Sequence, residues 1–301
     1  MFDIGGRGDK SFNDAAYVGL ERAQKELGIT FTTLETSEGA DREAQLRQLA
    51  AGNAEIVFGV GFLFTDDIKT LAKEFPNKKF ACVDFTVTPG ELQPQNLVAL
   101  TFREEEGSYL VGALAGLLSK THTLGFVGGM EIPLIRKFQA GYAAGVKAVD
   151  PRAKVLVKYA GVTGSAFRDP AKGKELALAE YQAGTDIIFH ASGSTGLGVF
   201  EAARKLHKLA IGVDSDQYSE APGVVLTSMV KRVDTAVFET IKGLKDGQWR
   251  SGVRDFGLAD NGVTWVYDEH NKALIPDAVH ARVEQLKQEI IAGRIKVPFT
   301  L

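Results

Sequence analysis

Two pairs of segments decide the fold: EIVFGVGF (55–62) with FACVDF (80–85), and DIIFHASG (186–193) with AIGVDS (210–215). Each pair is an apolar β-rich run, a helical stretch, and a second apolar run that ends in aspartate. Phe58 and Phe189 hold the same place, as do Asp84 and Asp214, with spacings that differ by one residue. A weaker echo links FDIGG…SF (2–12) to FVGG…KF (126–138). The chain builds a similar α/β unit twice.

Outward from these segments, strand and helix patterns alternate along the whole chain, which implies parallel sheets with helices on both faces. Residues 11–27 place Phe12, Ala16, Leu20, Ala23 and Leu27 on one helical face, with Ser11 as N-cap and Gly28 as stop. ITFTTL (29–34) reads as a strand and 40–51 as a helix. REEEGSYLVGALAGLLS (103–119) reads as a helix whose three glutamates suit its positive N-terminal end. Further helices are expected at 64–75, 133–149, 170–183, 195–207, 232–246 and 277–292. A length of 301 residues suits two lobes. The expected division is 1–102 with 231–250 and 277–301 in the N-terminal lobe, and 103–230 with 251–276 in the C-terminal lobe.

Composition excludes several classes. A net charge of −3 argues against the basic face that nucleic acid requires. A single cysteine permits neither an intrachain disulfide nor a cysteine-based zinc site, and Cys82 reads as a small core residue. The longest apolar run, YLVGALAGLLS (109–119), is well short of the roughly 20 residues that span a bilayer. No signal peptide is visible, but the chain begins almost inside its first strand, as a trimmed mature form does.

Ligands of open parallel sheets lie outside the carboxyl ends of the strands. DIGGRGDKSF (3–12), VDF (83–85), HASGSTGLG (190–198) and GVDSDQ (212–217) are expected there, lining one cleft if the lobes face each other. Gly5, Gly6 and Gly8 match neither G-x-G-x-x-G nor a phosphate loop. They serve a tight turn or the close approach of a ligand. Phe12 has a core reading and a stacking reading, and so has His190 across the cleft. Asp84 and Asp214 could be turn formers, but their matched places favour ligand contact, where carboxylates accept from ring N–H groups or sugar hydroxyls. Lys231 at a helix start opposes the helix dipole, so a cleft contact or a salt bridge explains it better. No nucleophile-base pair emerges, GSTG is not G-x-S-x-G, and the five histidines have no metal-ligand spacing. These absences favour binding over catalysis, with no cofactor.

DIGGRGDKSFND (3–14), GFVGG…FQAGYAAG (125–145), GSTGLGVFEAA (193–203), IGVDSDQ (211–217) and VLTSMVKRVDTAV (225–237) together resemble the basic membrane protein family. These are substrate-binding proteins of ABC importers, including purine nucleoside receptors. The resemblance implies an α/β type I periplasmic-binding-protein fold, with two doubly wound lobes joined by crossover strands. It implies a purine nucleoside ligand (adenosine, guanosine or inosine), an ABC permease as partner, and a monomer. Its members are usually lipid-anchored at the cell surface or in the periplasm. By motif, Phe12 would stack on the base, flanked by Asp3 and Ser11, and Asp84 would read the base edge. Asp214 would take ribose hydroxyls with Lys231 nearby, and Gly193 and Gly196 would give backbone contacts. The second stacking position falls around FHAS (189–192), at His190 or a neighbour. Two rival readings are a cytosolic ligand-sensing domain, which would need a DNA-binding segment, and a nucleoside-acting enzyme, which would turn its ligand over.

Overall fold

A computed structural model describes residues 1–37, 41–91 and 93–300. The chain divides into two compact units, Met1–Phe102 with Arg232–Phe256, and Arg103–Lys231 with Gly257–Leu301. It passes from one unit to the other after Phe102, Lys231 and Phe256. The architecture is α/β, with mostly parallel sheets in both units.

The first unit contains α1 (Phe12–Leu27), α2 (Arg42–Ala51), β1 (Ile56–Val60), α3 (Thr65–Glu74), β2 (Lys79–Val83) and β3 (Leu97–Phe102). The expected helix at 40–51 is thus found, except that residue 40 lies outside the described residues. The second unit begins with α4 (Glu104–Leu118), β4 (Thr123–Met130), α5 (Pro133–Val149), β5 (Lys154–Gly161), α6 (Pro170–Gln182) and β6 (Ile187–Ala191). It continues with α7 (Thr195–Leu206), β7 (Leu209–Asp214) and β8 (Val225–Lys231). The first unit then receives α8 (Val233–Lys245) and β9 (Gly252–Phe256), and the second closes with β10 (Val263–Trp265) and α9 (Asp277–Ile291).

The first sheet runs β1-β2-β3-β9, all parallel. The second runs β10-β8-β7-β6-β4-β5, parallel except for β10. The Phe58–Asp84 and Phe189–Asp214 echo becomes two neighbouring parallel strand pairs, β1·β2 and β6·β7. Cys82 is fully buried in β2 as a core residue. Residues 277–291 differ from the expected division. Helix α9 packs on α4, and Trp265 Nε1 donates to Glu284 Oε1 at 2.9 Å, so this helix belongs to the second unit. Strand β9 pairs with β3, which draws 252–256 into the first unit.

ITFTTL forms no strand. Phe2 alone makes parallel bridges to Glu35 on one side and Val60 on the other. Phe2 N donates to Leu34 O at 2.8 Å and Val60 N to Met1 O at 2.9 Å. Beyond that single rung, a cavity of about 1000 Å³ lies among residues 29–34, β1 and the apolar faces of α1, α2 and α8. With no ladder partner alongside 29–33, the single bond at Leu34 does not make 29–34 a strand.

Helices α4 and α5 meet backbone to backbone through glycine. A Cβ at Gly112 would lie 2.2 Å from Tyr142 O, and one at Gly145 would lie 2.0 Å from Tyr109 O. Gly145→Ala is therefore expected to cost about 1–3 kcal/mol by forcing the helices apart, seen as a lower urea midpoint. Unchanged stability would mean the helices are not in contact there.

Glu180 of α6 is fully buried, and neither carboxylate oxygen has a hydrogen-bond partner. Burial pushes its pKa up to about 9, against the weaker pull of Lys158. The folded state holds this proton while the unfolded chain releases it above about pH 4.3. Stability should therefore fall as pH rises from about 5 to 9, by up to about 1.4 kcal/mol per pH unit from this group. Glu180→Gln should remove that part of the slope. Parallel pH profiles for the two proteins would contradict it.

Candidate functional site

In a parallel sheet, a crevice opens where consecutive connections leave a strand toward opposite sides. In the first unit this point lies at residues 1–3, whose chain goes first to Glu35 and then, beyond α2, to β1 on the other side. In the second unit it lies between β4 and β6, because β5 and β6 flank β4 on opposite sides.

At the first point the turn 3–10 is tied by side-chain carboxylates. Asp9 accepts from Ser11 N (3.0 Å) and Asp14 N (3.1 Å) on one oxygen, and from Asn13 N (2.9 Å) and Nδ2 (3.1 Å) on the other. Asp14 accepts from Gly8 N at 2.8 Å and Lys10 N at 3.0 Å. Asp9 thus does the capping expected of Ser11, which is buried at the N-cap position with no side-chain cap bond. Phe12 opens α1 with its ring half-buried. Asp3 accepts from Ile4 N at 2.7 Å. Burial pushes its carboxyl up to about 6, opposed by the Ile4 N–H and Arg42 and reinforced by Asp84. Gly61 follows β1 and lies against Asp3, where a Cβ would lie 2.4 Å from Oδ2. Asp84 follows β2 with φ 58°, a left-handed conformation that aspartate tolerates better than most residues. It is 8% exposed.

At the second point Phe167 lies over the end of β4. Its ring covers Gly129 of β4, where a Cβ would lie 2.2 Å from Cε1, and Ser194 Oγ donates to its carbonyl at 3.2 Å. The ring is half-buried. Gly193 stands beside it with φ 56°. Asp214 ends β7 with φ 67° and 7% exposure, the counterpart of Asp84 in conformation as well as in sequence. Lys231 ends β8, buried, with Nζ 2.9 Å from Glu104 Oε1. Lys137 pairs with the same carboxylate at 2.5 Å. Burial opposes ionisation of Glu104, but the two lysines outweigh it and hold the carboxyl below its ordinary range. The first glutamate of α4 is therefore a buried ion-pair partner, beyond the dipole role expected of it.

His190 does not lie open as a stacking ring. It is fully buried, edge-on to Phe200 at 5.1 Å, with Gly196 pressed against it. A Cβ at Gly196 would lie 2.0 Å from the imidazole, and Gly196 N donates to Gly193 O at 3.0 Å. Gly196 is thus glycine because of His190, and its N–H serves the turn before α7. Phe167, which the sequence reading missed, had one visible signal: an aromatic closing the small-residue loop TGSAF just after a strand. Among the described residues, no cluster of three or more His, Cys, Asp or Glu could hold a metal ion. No described helix is long and apolar enough to cross a membrane.

Comparison with known proteins gives one family. The model of the Bmp family, ABC transporter substrate-binding protein PnrA-like, matches residues 1–300. An ABC transporter nucleoside-binding protein, BmpA, of Lactococcus lactis is 33% identical over 98% of this chain and 87% of its own. An uncharacterized lipoprotein of Pyrococcus abyssi is 36% identical over 87% of this chain and 67% of its own. The crystal structure of an ABC transporter solute-binding protein from Aeropyrum pernix superposes with a TM-score of 0.89 at 29% identity, covering 99% of this chain and 92% of that one. The chain belongs to the Bmp family of PnrA-like ABC transporter substrate-binding proteins.

Proposed function

We propose that this protein captures a purine nucleoside outside the cytoplasmic membrane and delivers it, chemically unchanged, to an ABC permease. The observation that carries the proposal is the repetition at the two crevice points. Each unit supplies one half-buried phenyl ring and one strand-end carboxylate: Phe12 with Asp84, and Phe167 with Asp214. Rings of this kind take the flat faces of a base. Carboxylates accept from base N–H groups and from vicinal ribose hydroxyls. A free sugar would leave the rings without a flat partner, and a free base would offer donors to only one of the two carboxylates. Asp84 takes the base edge and Asp214 the ribose, with Asp3 beside Asp84. The Lactococcus lactis relative, a nucleoside-binding protein by name, supports a nucleoside as the ligand class. The lipoprotein relative supports attachment through a lipid anchor.

Lys231 and Ser11 enter the proposal as supports and not as primary contacts, since both are almost wholly buried. Lys231 and Glu104 hold each other at the end of β8, next to the strand that carries Asp214.

Native mass spectrometry of the purified protein is expected to give a bound mass equal to a purine nucleoside, recovered intact after denaturation. Release of base and ribose as separate products would make the protein an enzyme instead. Phe167→Ala is expected to weaken nucleoside binding by about 1–3 kcal/mol, the scale of one base-aromatic stack, with little loss of melting temperature. Unchanged affinity in calorimetry would remove Phe167 from the site.

A further inference from the structure

Asp214 occupies a turn that its own backbone does not favour. Its φ is 67°, and Ser215 N donates back to Val213 O at 2.8 Å, a γ-turn with aspartate at its centre. For a residue other than glycine this conformation is strained, and it persists only where the surroundings enforce it.

The enforcing group is Gln217. Its Oε1 accepts from the N–H of Val213, the first residue of the turn, at 2.9 Å. Its own N donates to Ser228 Oγ at 3.0 Å, in neighbouring β8. The backbone donor at Val213 fixes which end of the Gln217 amide is oxygen. That oxygen also faces His190 Nε2 at 2.9 Å. An oxygen cannot donate, so Nε2 carries the proton. Nδ1 is then the acceptor, and Ser192 Oγ lies 3.3 Å from it. Burial lowers the His190 pKa to about 4, against the Gln217 bond, so the ring is neutral at ordinary pH. Space is equally constrained: a Cβ at Gly212 would lie 2.8 Å from Gln217 Oε1 and 2.6 Å from Ser228 Oγ. The ring, the amide and the two strands fit one arrangement.

We infer that His190 is a positioning residue: through Gln217 it holds the strained turn that presents Asp214 to the ligand. The inference rests on the proposal that Asp214 takes ribose hydroxyls, and it replaces the idea of a stacking imidazole with that of a clamp. His190 touches no ligand and acts only through the amide.

The test combines ring NMR with calorimetry. In the ligand-free protein, nitrogen-15 spectra of the histidine rings are expected to show His190 as the Nε2–H tautomer, unchanged from pH 5 to 8. Wild type is expected to prefer a purine nucleoside over its 2′-deoxy form. His190→Leu should lose about tenfold of that preference, the worth of one hydrogen bond, while binding of the free base holds. His190→Gln, which can still offer an N–H to Gln217, should keep it. If His190→Leu does not fold, Gln217→Met removes the same clamp at nearly constant length and should show the same loss. An Nδ1–H tautomer, or full preference in both His190→Leu and Gln217→Met, overturns the clamp. If wild type binds no nucleoside, the functional proposal falls, and the ring tautomer alone then decides the clamp.

Discussion

The constraint on which the crevice of each unit depends is the geometry of a parallel strand end. A β-strand that must stop, turn sharply and present a side chain at its tip needs a residue that tolerates positive φ. Glycine tolerates it but presents nothing. Aspartate adopts it at less cost than most residues and presents a carboxylate, and this chain uses it twice, at Asp84 and Asp214. Both aspartates are nearly buried, at 8% and 7% exposure.

Around those two tips the rest of the chain acts as support. On the first unit the support is acidic: Asp9 and Asp14 draw the backbone N–H groups of 8–14 into a fixed turn at the start of α1. On the second it is a neutral clamp, His190 with Gln217, beside an ionic one, Lys231 and Lys137 on Glu104. Removing one member of a buried ion pair leaves an uncompensated charge, which costs about 3–5 kcal/mol in measured cases. Lys231 is thus better understood as holding the end of β8 than as reaching outward.

Much of this was legible in the sequence because repetition is legible. The paired Phe–helix–Asp pattern gave both sheets and both strand-end carboxylates, and five motifs in order gave the family. What could not be read was anything decided by a partner distant in sequence. His190 and Gln217 are 27 residues apart, and nothing local distinguishes an imidazole facing a ligand from one facing an amide. Phe167 sits in a loop of small residues whose importance comes from Gly129 and Gly193 beside it. ITFTTL has the composition of a strand, but a strand also needs a neighbour, and only one rung of neighbour is present. Helix α9 carries no mark of which unit it will cover until Trp265 and α4 are in place.

The central claim is that the two carboxylates divide the ligand, Asp84 on the base and Asp214 on the sugar. Calorimetry of Asp84→Ala and Asp214→Ala against a purine nucleoside, its 2′-deoxy form and the free base tests it most directly. Asp214→Ala is predicted to bind nucleoside and deoxynucleoside alike while holding the free base as wild type does. Asp84→Ala is predicted to weaken all three together. Undiminished discrimination in Asp214→Ala, or a loss in Asp84→Ala confined to ligands with a ribose, would contradict the division.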